Sequence, residues 1–328
     1  MTPSQERYQN MTYRRLGDSG LLLPAISLGL WHNFSESQPL EKSKEMITAA
    51  FDKGITYFDL ANNYGPPPGS AEITLGKIIK EDLQSYRDEL IVSTKAGHQM
   101  WDGPYGDFGS RKSLIASIDQ SLKRLKLDYV DIFYSHRYDP QTNLEETMLA
   151  LSQIVRSGKA LYVGLSKYPV DALRKAIDIL KELKTPLVVH QVRYSMLVRG
   201  AEDGVFDLHK EKKLGCVSFS PLAQGLLSPK YLNGIPESSR AREEHFLKTT
   251  DVEKNINIIK ALNAIAAKRG QTLSQMAIAW QLSDDRVTSV IMGISAKEQL
   301  EENLLALSNT KFSDEELRQI NNITQSNF

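Results

Sequence analysis

Asp59, Tyr64, Lys95 and His136 each stand where a run of strand-forming residues ends: Asp59 in ITYFDLA, Tyr64 just after it in ANNYG, Lys95 in LIVSTKA and His136 in YVDIFYSH. A carboxylate and an ammonium beside β-branched and aromatic neighbours are costly unless they pair with each other or carry chemistry. A phenol ionises near pH ~10 on its own, and an adjacent ammonium stabilises the phenolate. The set therefore predicts a Tyr64 whose pKa is drawn towards neutrality by Lys95. Asp59 holds Lys95 in place, and His136 hydrogen-bonds a substrate oxygen or relays a proton. Such an acid suits a carbonyl that takes up hydride and then needs a proton. The set contains neither a nucleophile with its base nor a metal cage. Each residue also has a structural reading on its own: Asp59 as a helix cap, Tyr64 as a loop aromatic, Lys95 as a snorkelling base, His136 as a satisfied core histidine. Their shared position at strand ends favours the chemical reading.

Bringing such residues together requires a scaffold whose strands end on one face. The chain of 328 residues and 36.9 kDa alternates strand and helix patterns throughout. After a two-strand signal, TYRRLGDSGLLLP with its turn at Gly17 to Gly20, come eight apolar runs: PAISLGLW, GITYFDLA, ELIVSTKA, DYVDIFYSH, ALYVGLS, PLVVHQVRYS, GCVSFSPL and VTSVIMGIS. Between them lie amphipathic stretches such as LEKSKEMITAAFDKG, SRKSLIASIDQSLKRLKL, NLEETMLALSQIVRSG and VDALRKAIDILKELK, apolar at spacings of three and four. LSQMAIAWQLS precedes the last strand, and FSDEELRQINN reads as a closing helix capped by Ser313. The expectation is an α/β fold, a (β/α)8 TIM barrel with an N-terminal hairpin and extra C-terminal helices, as one domain over residues 1–328. A doubly wound sheet is disfavoured because the first strand-to-helix turn, HNFSESQPL, lacks G-x-G-x-x-G, and GPYGDFG has the wrong spacing. The stretch from Ala223 to Asp251 reads as an irregular, functional loop.

Forty basic against forty acidic residues give a formal net charge of +0, with no basic tract, which disfavours nucleic acid and anionic membrane as partners. The single cysteine, Cys216, excludes an internal disulfide framework and a cysteine-based zinc site. No apolar leader or spanning stretch is readable, so a soluble cytoplasmic protein acting on small molecules is expected.

FDLANNYG, VSTKAG and YSHR resemble the three catalytic motifs of the aldo-keto reductase family, and the resemblance covers nearly the whole chain. GLWHNF, HQMWDGPYG, SGKALYVGLS, SPLAQGLL and EQLEEN resemble the branch that holds the β subunits of voltage-gated potassium channels and bacterial reductases of the L-glyceraldehyde 3-phosphate type. The resemblance implies NADPH in extended form over the barrel, Tyr64 as general acid tuned by Lys95 and Asp59, and His136 orienting the carbonyl. Ser166 and Gln191 resemble the grip on the nicotinamide carboxamide, and Phe219 the aromatic stacked on its ring. Ser220, Leu222, Gly225, Ser228 and Lys230 resemble a segment folding over the pyrophosphate, with Arg240 on a cofactor phosphate. Ser295, Gln299, Glu302 and Asn303 resemble the adenosine contacts. Lys167 stands where asparagine is common and is assigned to the cofactor, with a phosphate as its contact. The resemblance also implies that Ala296 and Lys297 fall in the 2′-phosphate region, that Trp31 borders cofactor and substrate, and that Trp101 and His136 line the pocket. Arg137 or Arg111 is a candidate for a substrate phosphate. Two functions follow: reduction of small aldehydes of the glyceraldehyde 3-phosphate or methylglyoxal type, or a nucleotide-sensing regulatory subunit like the channel relatives. His136, where the channel subunits carry asparagine, favours the enzyme. Relatives of this branch imply a homo-tetramer or homo-octamer.

Overall fold

Continuous Val, Ile, Leu and aromatic runs bounded by Gly, Pro and Asp favour strands that are covered on both faces, and that is how they are used. The computed structural model describes residues 2–237, 239–243 and 247–325. All eight expected strands form one closed parallel barrel: β3 (Ile26–Gly29), β4 (Tyr57–Asp59), β5 (Ile91–Ala96), β6 (Val130–Ser135), β7 (Ala160–Ser166), β8 (Leu187–Arg193), β9 (Gly215–Phe219) and β10 (Ser289–Met292), the last pairing back with β3. The N-terminal hairpin, β1 (Tyr13–Arg15) and β2 (Leu22–Pro24), is a separate two-stranded sheet.

The helices pack outside the barrel: α1 (Leu40–Asp52), α2 (Ser70–Ile78), α3 (Arg111–Leu125), α4 (Leu144–Arg156), α5 (Val170–Glu182) and α6 (Val205–Lys212), then α7 (Arg240–Glu243), α8 (Thr249–Lys268), α9 (Leu273–Ser283), α10 (Lys297–Leu304) and α11 (Asp314–Gln325). Local chemistry sets several of their starts. The side chains of Ser110 and Asn143 accept from the backbone N–H of Ser113 and Glu145. Thr272 with Gln275 closes a reciprocal capping box on α9. The expected cap Ser313 does the same with Glu316 on α11. On α5 the buried residues Ala172, Leu173, Ala176 and Leu180 fall on one stripe, as the spacing predicts. Among its described residues, the stretch from Ala223 to Asp251 is less irregular than its composition suggests. It contains short 3-10 turns at Ala223–Gly225 and Pro229–Tyr231 and the single-turn α7 before α8 begins at Thr249. None of the described helices is long and apolar enough to cross a membrane.

Two cores result. The larger lies between barrel and helices, and a smaller one fills the barrel itself with Leu16, Leu23, Tyr57, Ile132, Tyr134, Val189, Val217 and Ile291. Leu16 and Leu23 come from the hairpin and are fully buried, so the hairpin stoppers the end where the strands begin. Its turn fits tightly: Gly17 adopts φ 56°, and a Cβ there would stand 2.4 Å from the carbonyl oxygen of Lys213. Alternation along each strand decides what faces inward, so Tyr57 shares a phase with Asp59, Ser93 with Lys95, Tyr134 with His136, and Val189 with Gln191. Gly164 provides room for one of these rings, since a Cβ there would lie 2.3 Å from Tyr134 Cε1.

Candidate active site

The four residues singled out by their strand ends meet at the end of the barrel where the strands finish, the face on which barrel enzymes build their sites. Lys95 and Asp59 are both buried, and Lys95 Nζ donates to Asp59 Oδ2 at 2.6 Å and to the Leu60 carbonyl at 2.5 Å. The other carboxylate oxygen, Oδ1, accepts from Ser93 Oγ at 2.9 Å, Gln191 Nε2 at 3.0 Å and Tyr57 OH at 3.2 Å. Both Asp59 oxygens are therefore occupied, and a buried ion pair saturated in this way avoids the penalty that attends an unpartnered one. Tyr57 OH lies 2.8 Å from Tyr134 OH, extending the polar column down into the barrel.

Tyr64 sits in the turn between β4 and α2, its carbonyl accepting from the N–H of Gly69 and Ala71. Its ring lies with Lys95 Nζ 5.1 Å from its centroid and meets the His136 ring edge-on at 5.9 Å. Sequence reasoning expected Lys95 to lower the Tyr64 pKa. The structure differs: burial, and then the Asp59 charge, hold the phenol well above its usual value. The reason is geometric, because the Lys95 ammonium is directed at Asp59 and Leu60 and faces the Tyr64 ring rather than donating to its oxygen. Lys95 is itself pulled down by burial against the opposing effect of Asp59. The site thus stores a protonated phenol at neutral pH.

His136 is buried, and burial followed by the charge of Lys95 keeps its imidazole neutral, with a pKa well below the ordinary value. Its Nδ1 is buried and has no hydrogen-bond partner. A neutral histidine with an unmet ring nitrogen is what a carbonyl oxygen would need as a neighbour. His98, which the sequence reading passed over, packs its ring edge-on against His136 at 4.5 Å, and its Nε2 lies 3.3 Å from Lys167 Nζ. The available signal was its place three residues past Lys95, just beyond β5. Ser93, Tyr57 and Tyr134 were also missed, although the period-two phase shared with Lys95, Asp59 and His136 marked them.

Arg137 does not present a free guanidinium. It pairs with Asp107 Oδ1 at 2.6 Å, donates to the Gly97 carbonyl at 2.7 Å and covers the Phe108 ring at 4.5 Å. Arg111 is exposed and holds Gln153 and, through its backbone N–H, Glu146. Trp31 and Trp101 are half-buried, the former with its ring 3.9 Å from that of His32.

Ser166 and Gln191 are register partners on β7 and β8, and Ser166 Oγ is buried without a partner. Phe219 ends β9, and the long segment after it begins with left-handed backbone at Ser220, Ala223 and Gln224, followed by Gly225 at φ 101°. Leu222 is half-buried, Ser228 Oγ donates to the Gly225 carbonyl, and Lys230 is exposed. Arg240 opens α7, and its side chain lies outside the described residues. At the other rim, Gln299 Oε1 accepts from both the N–H and the hydroxyl of Ser295, the Glu302 carbonyl accepts from Gln275, and Asn303 Nδ2 is buried without a partner. Ala296 precedes α10, and Lys297 begins it.

This arrangement can deliver a proton to an oxygen held between a phenol and a neutral imidazole, above a pair of residues suited to a carboxamide. The sequence pattern of the Aldo/keto reductase family matches residues 25–325. The chain is also 55% identical to the L-glyceraldehyde 3-phosphate reductase of Escherichia coli strain K12 over 321 residues, covering 96% of this chain and 93% of that protein, and equally to its counterpart in Escherichia coli O157:H7. By sequence pattern, close relatives and barrel alike, the chain belongs to the aldo/keto reductase family.

Proposed function

We propose that this aldo-keto reductase, an oxidoreductase, reduces short aldehydes of the glyceraldehyde 3-phosphate or methylglyoxal type to alcohols with NADPH, Tyr64 giving the proton. The observation that carries the reading is the convergence of Tyr64, Lys95 and His136 on one small volume, anchored by the 2.6 Å Lys95–Asp59 pair. The substrate class draws on the relative named L-glyceraldehyde 3-phosphate reductase.

The residues present fit a nicotinamide. Ser166 Oγ and Asn303 Nδ2 are buried polar atoms without partners, one in the barrel mouth and one on α10, and such orphans are costly unless something else meets them. Gln191 gives an amide N–H to Asp59 and also reaches the Tyr134 hydroxyl, which leaves its carbonyl oxygen for a carboxamide. Ser166, Gln191 and Phe219 would hold the ring, Ser220 to Lys230 the pyrophosphate, and Ser295, Gln299 and Asn303 the adenosine side. When bound, reduced nicotinamide supplies hydride to the carbonyl carbon. Tyr64 holds its proton until charge develops on the carbonyl oxygen, then transfers it. The Lys95 ammonium 5.1 Å from the ring centroid steadies the phenolate left behind. His136, neutral, offers an N–H to the same oxygen and fixes its direction. Small aldehydes are the expected partners of a soluble cytoplasmic oligomer.

Monitoring NADPH oxidation across glyceraldehyde 3-phosphate, methylglyoxal and aromatic aldehydes tests the reading, together with dissociation constants for NADPH and NADH. Turnover of short aldehydes with tighter NADPH binding is expected. A protein that binds NADPH and oxidises it with none of them acts as a nucleotide-binding subunit instead.

A further inference from the structure

Lys167 follows β7 with left-handed backbone, φ 57°, a region that non-glycine residues seldom adopt. That turn carries its ammonium across the barrel mouth to His98, Nζ to Nε2 3.3 Å, with Phe219 5.9 Å away on the other side. His98 in turn touches His136, so the ammonium stands one imidazole beyond the group expected to orient the carbonyl. Arg193 lies two residues past Gln191 on β8, in the same strand phase and exposed, close enough for its charge to bear on Lys167. Charge balance around the mouth is uneven. Lys95 is matched by Asp59 and Arg137 by Asp107, whereas Lys167 and Arg193 have no carboxylate within ion-pair distance among the described residues. Desolvation by its surroundings and the charges of Lys95, Arg137 and Arg193 bring Lys167 to about 8, and burial and Lys167 bring His98 to about 4. At neutral pH the lysine thus carries the proton, and the imidazole accepts from it. A cation crowded by other cations favours an arriving dianion.

We propose that Lys167, with Arg193 and His98 beside it, forms an anion subsite that takes the terminal phosphate of a three-carbon phosphorylated aldehyde whose carbonyl lies between Tyr64 and His136. This rests on the reductase reading and assigns Lys167 to the substrate rather than to a cofactor phosphate. Lysine binds phosphate as a point charge, tolerant of the angle at which a short, flexible substrate presents it. Arg137, engaged by Asp107, is not the phosphate contact.

Three measurements test it on the wild type, Lys167→Met and Arg193→Met. They are kcat/KM for glyceraldehyde 3-phosphate and for glyceraldehyde, the NADPH dissociation constant by fluorescence titration, and calorimetric binding of glycerol 3-phosphate to the NADP+-loaded protein. A charge-assisted contact predicts that Lys167→Met lowers the phosphorylated-to-plain ratio by about tenfold or more and abolishes the glycerol 3-phosphate heat, with a smaller fall for Arg193→Met. A ratio within about threefold of wild type, or equal losses on both aldehydes with weakened NADPH binding, would overturn the subsite and return Lys167 to the nucleotide. If the wild type reduces no aldehyde, the reductase reading fails separately, and the glycerol 3-phosphate titration still decides the subsite.

Discussion

The two ends of the barrel are built from the same strands and satisfy opposite demands. At the base, ion pairs and backbone contacts ring an apolar plug: Asp131 binds Arg87 at 2.9 Å and accepts the Val92 N–H, Arg14 donates to the Leu282 and Val287 carbonyls, and Leu16 and Leu23 fill the opening. At the mouth, Asn62, Asn63, His136 and Ser166 hold buried polar atoms without partners, and positive charge outnumbers negative around Lys167. No orphan among the described residues belongs to the hairpin or to the first residue of a strand. A fold tolerates such costs where a ligand offsets them, so the asymmetry marks which end binds and which end holds the barrel together.

Substitutions at the two ends should therefore separate turnover from stability. The largest effect is expected for Tyr64→Phe, which removes the stored proton and touches no ion pair: kcat should fall by about 10²–10⁴ while Tm and NADPH affinity stay near wild type. Steady-state kinetics beside a thermal melt checks this, and wild-type turnover in the variant would remove Tyr64 from the chemistry. At the base the pattern should invert. Leu16→Ala opens a cavity under Tyr57 and Tyr134 and should cost about 2–5 kcal/mol in denaturant unfolding, with kcat at low temperature largely kept. An equal loss of kcat would mean that the base is part of the site.

The smallest effect separates the ends by pH. His98 is depressed in the folded chain to about 4, so between its unfolded value of about 6.5 and that point only the unfolded state takes up the proton, and stability present above 6.5 is lost as pH falls. Because His98 is partly solvated, the loss is discounted to about 1–2 kcal/mol. Urea midpoints for the wild type and His98→Asn at pH 7 and pH 4.5 should converge on acidification, and parallel curves would show that His98 contributes none of it.

The barrel was legible because parallel strands covered on both faces must be apolar throughout, which left eight long runs and little choice of register. Asp59, Lys95 and His136 were legible for the complementary reason, as ionisable side chains placed where those runs end. What the chain could not disclose was direction and partnership. His136 ends its run and His190 lies inside its own, but their partners are not local: His190 has both ring nitrogens engaged, by the Tyr168 N–H at 3.1 Å and His209 at 2.9 Å, whereas His136 keeps one unmet. The expected lowering of the Tyr64 pKa failed in the same way, because which atom an ammonium faces is set by strands distant in sequence. Arg137 looked available until Asp107, thirty residues earlier, was placed against it.

The hairpin stopper reaches further than stability. Leu16 and Leu23 share the barrel core with Tyr57 and Tyr134, so an apolar plug lies beneath the hydroxyl column under Asp59. If Tyr64 gives the proton as proposed, the spent phenol would be recharged by water arriving at the barrel mouth, and reprotonation would be tied to product departure.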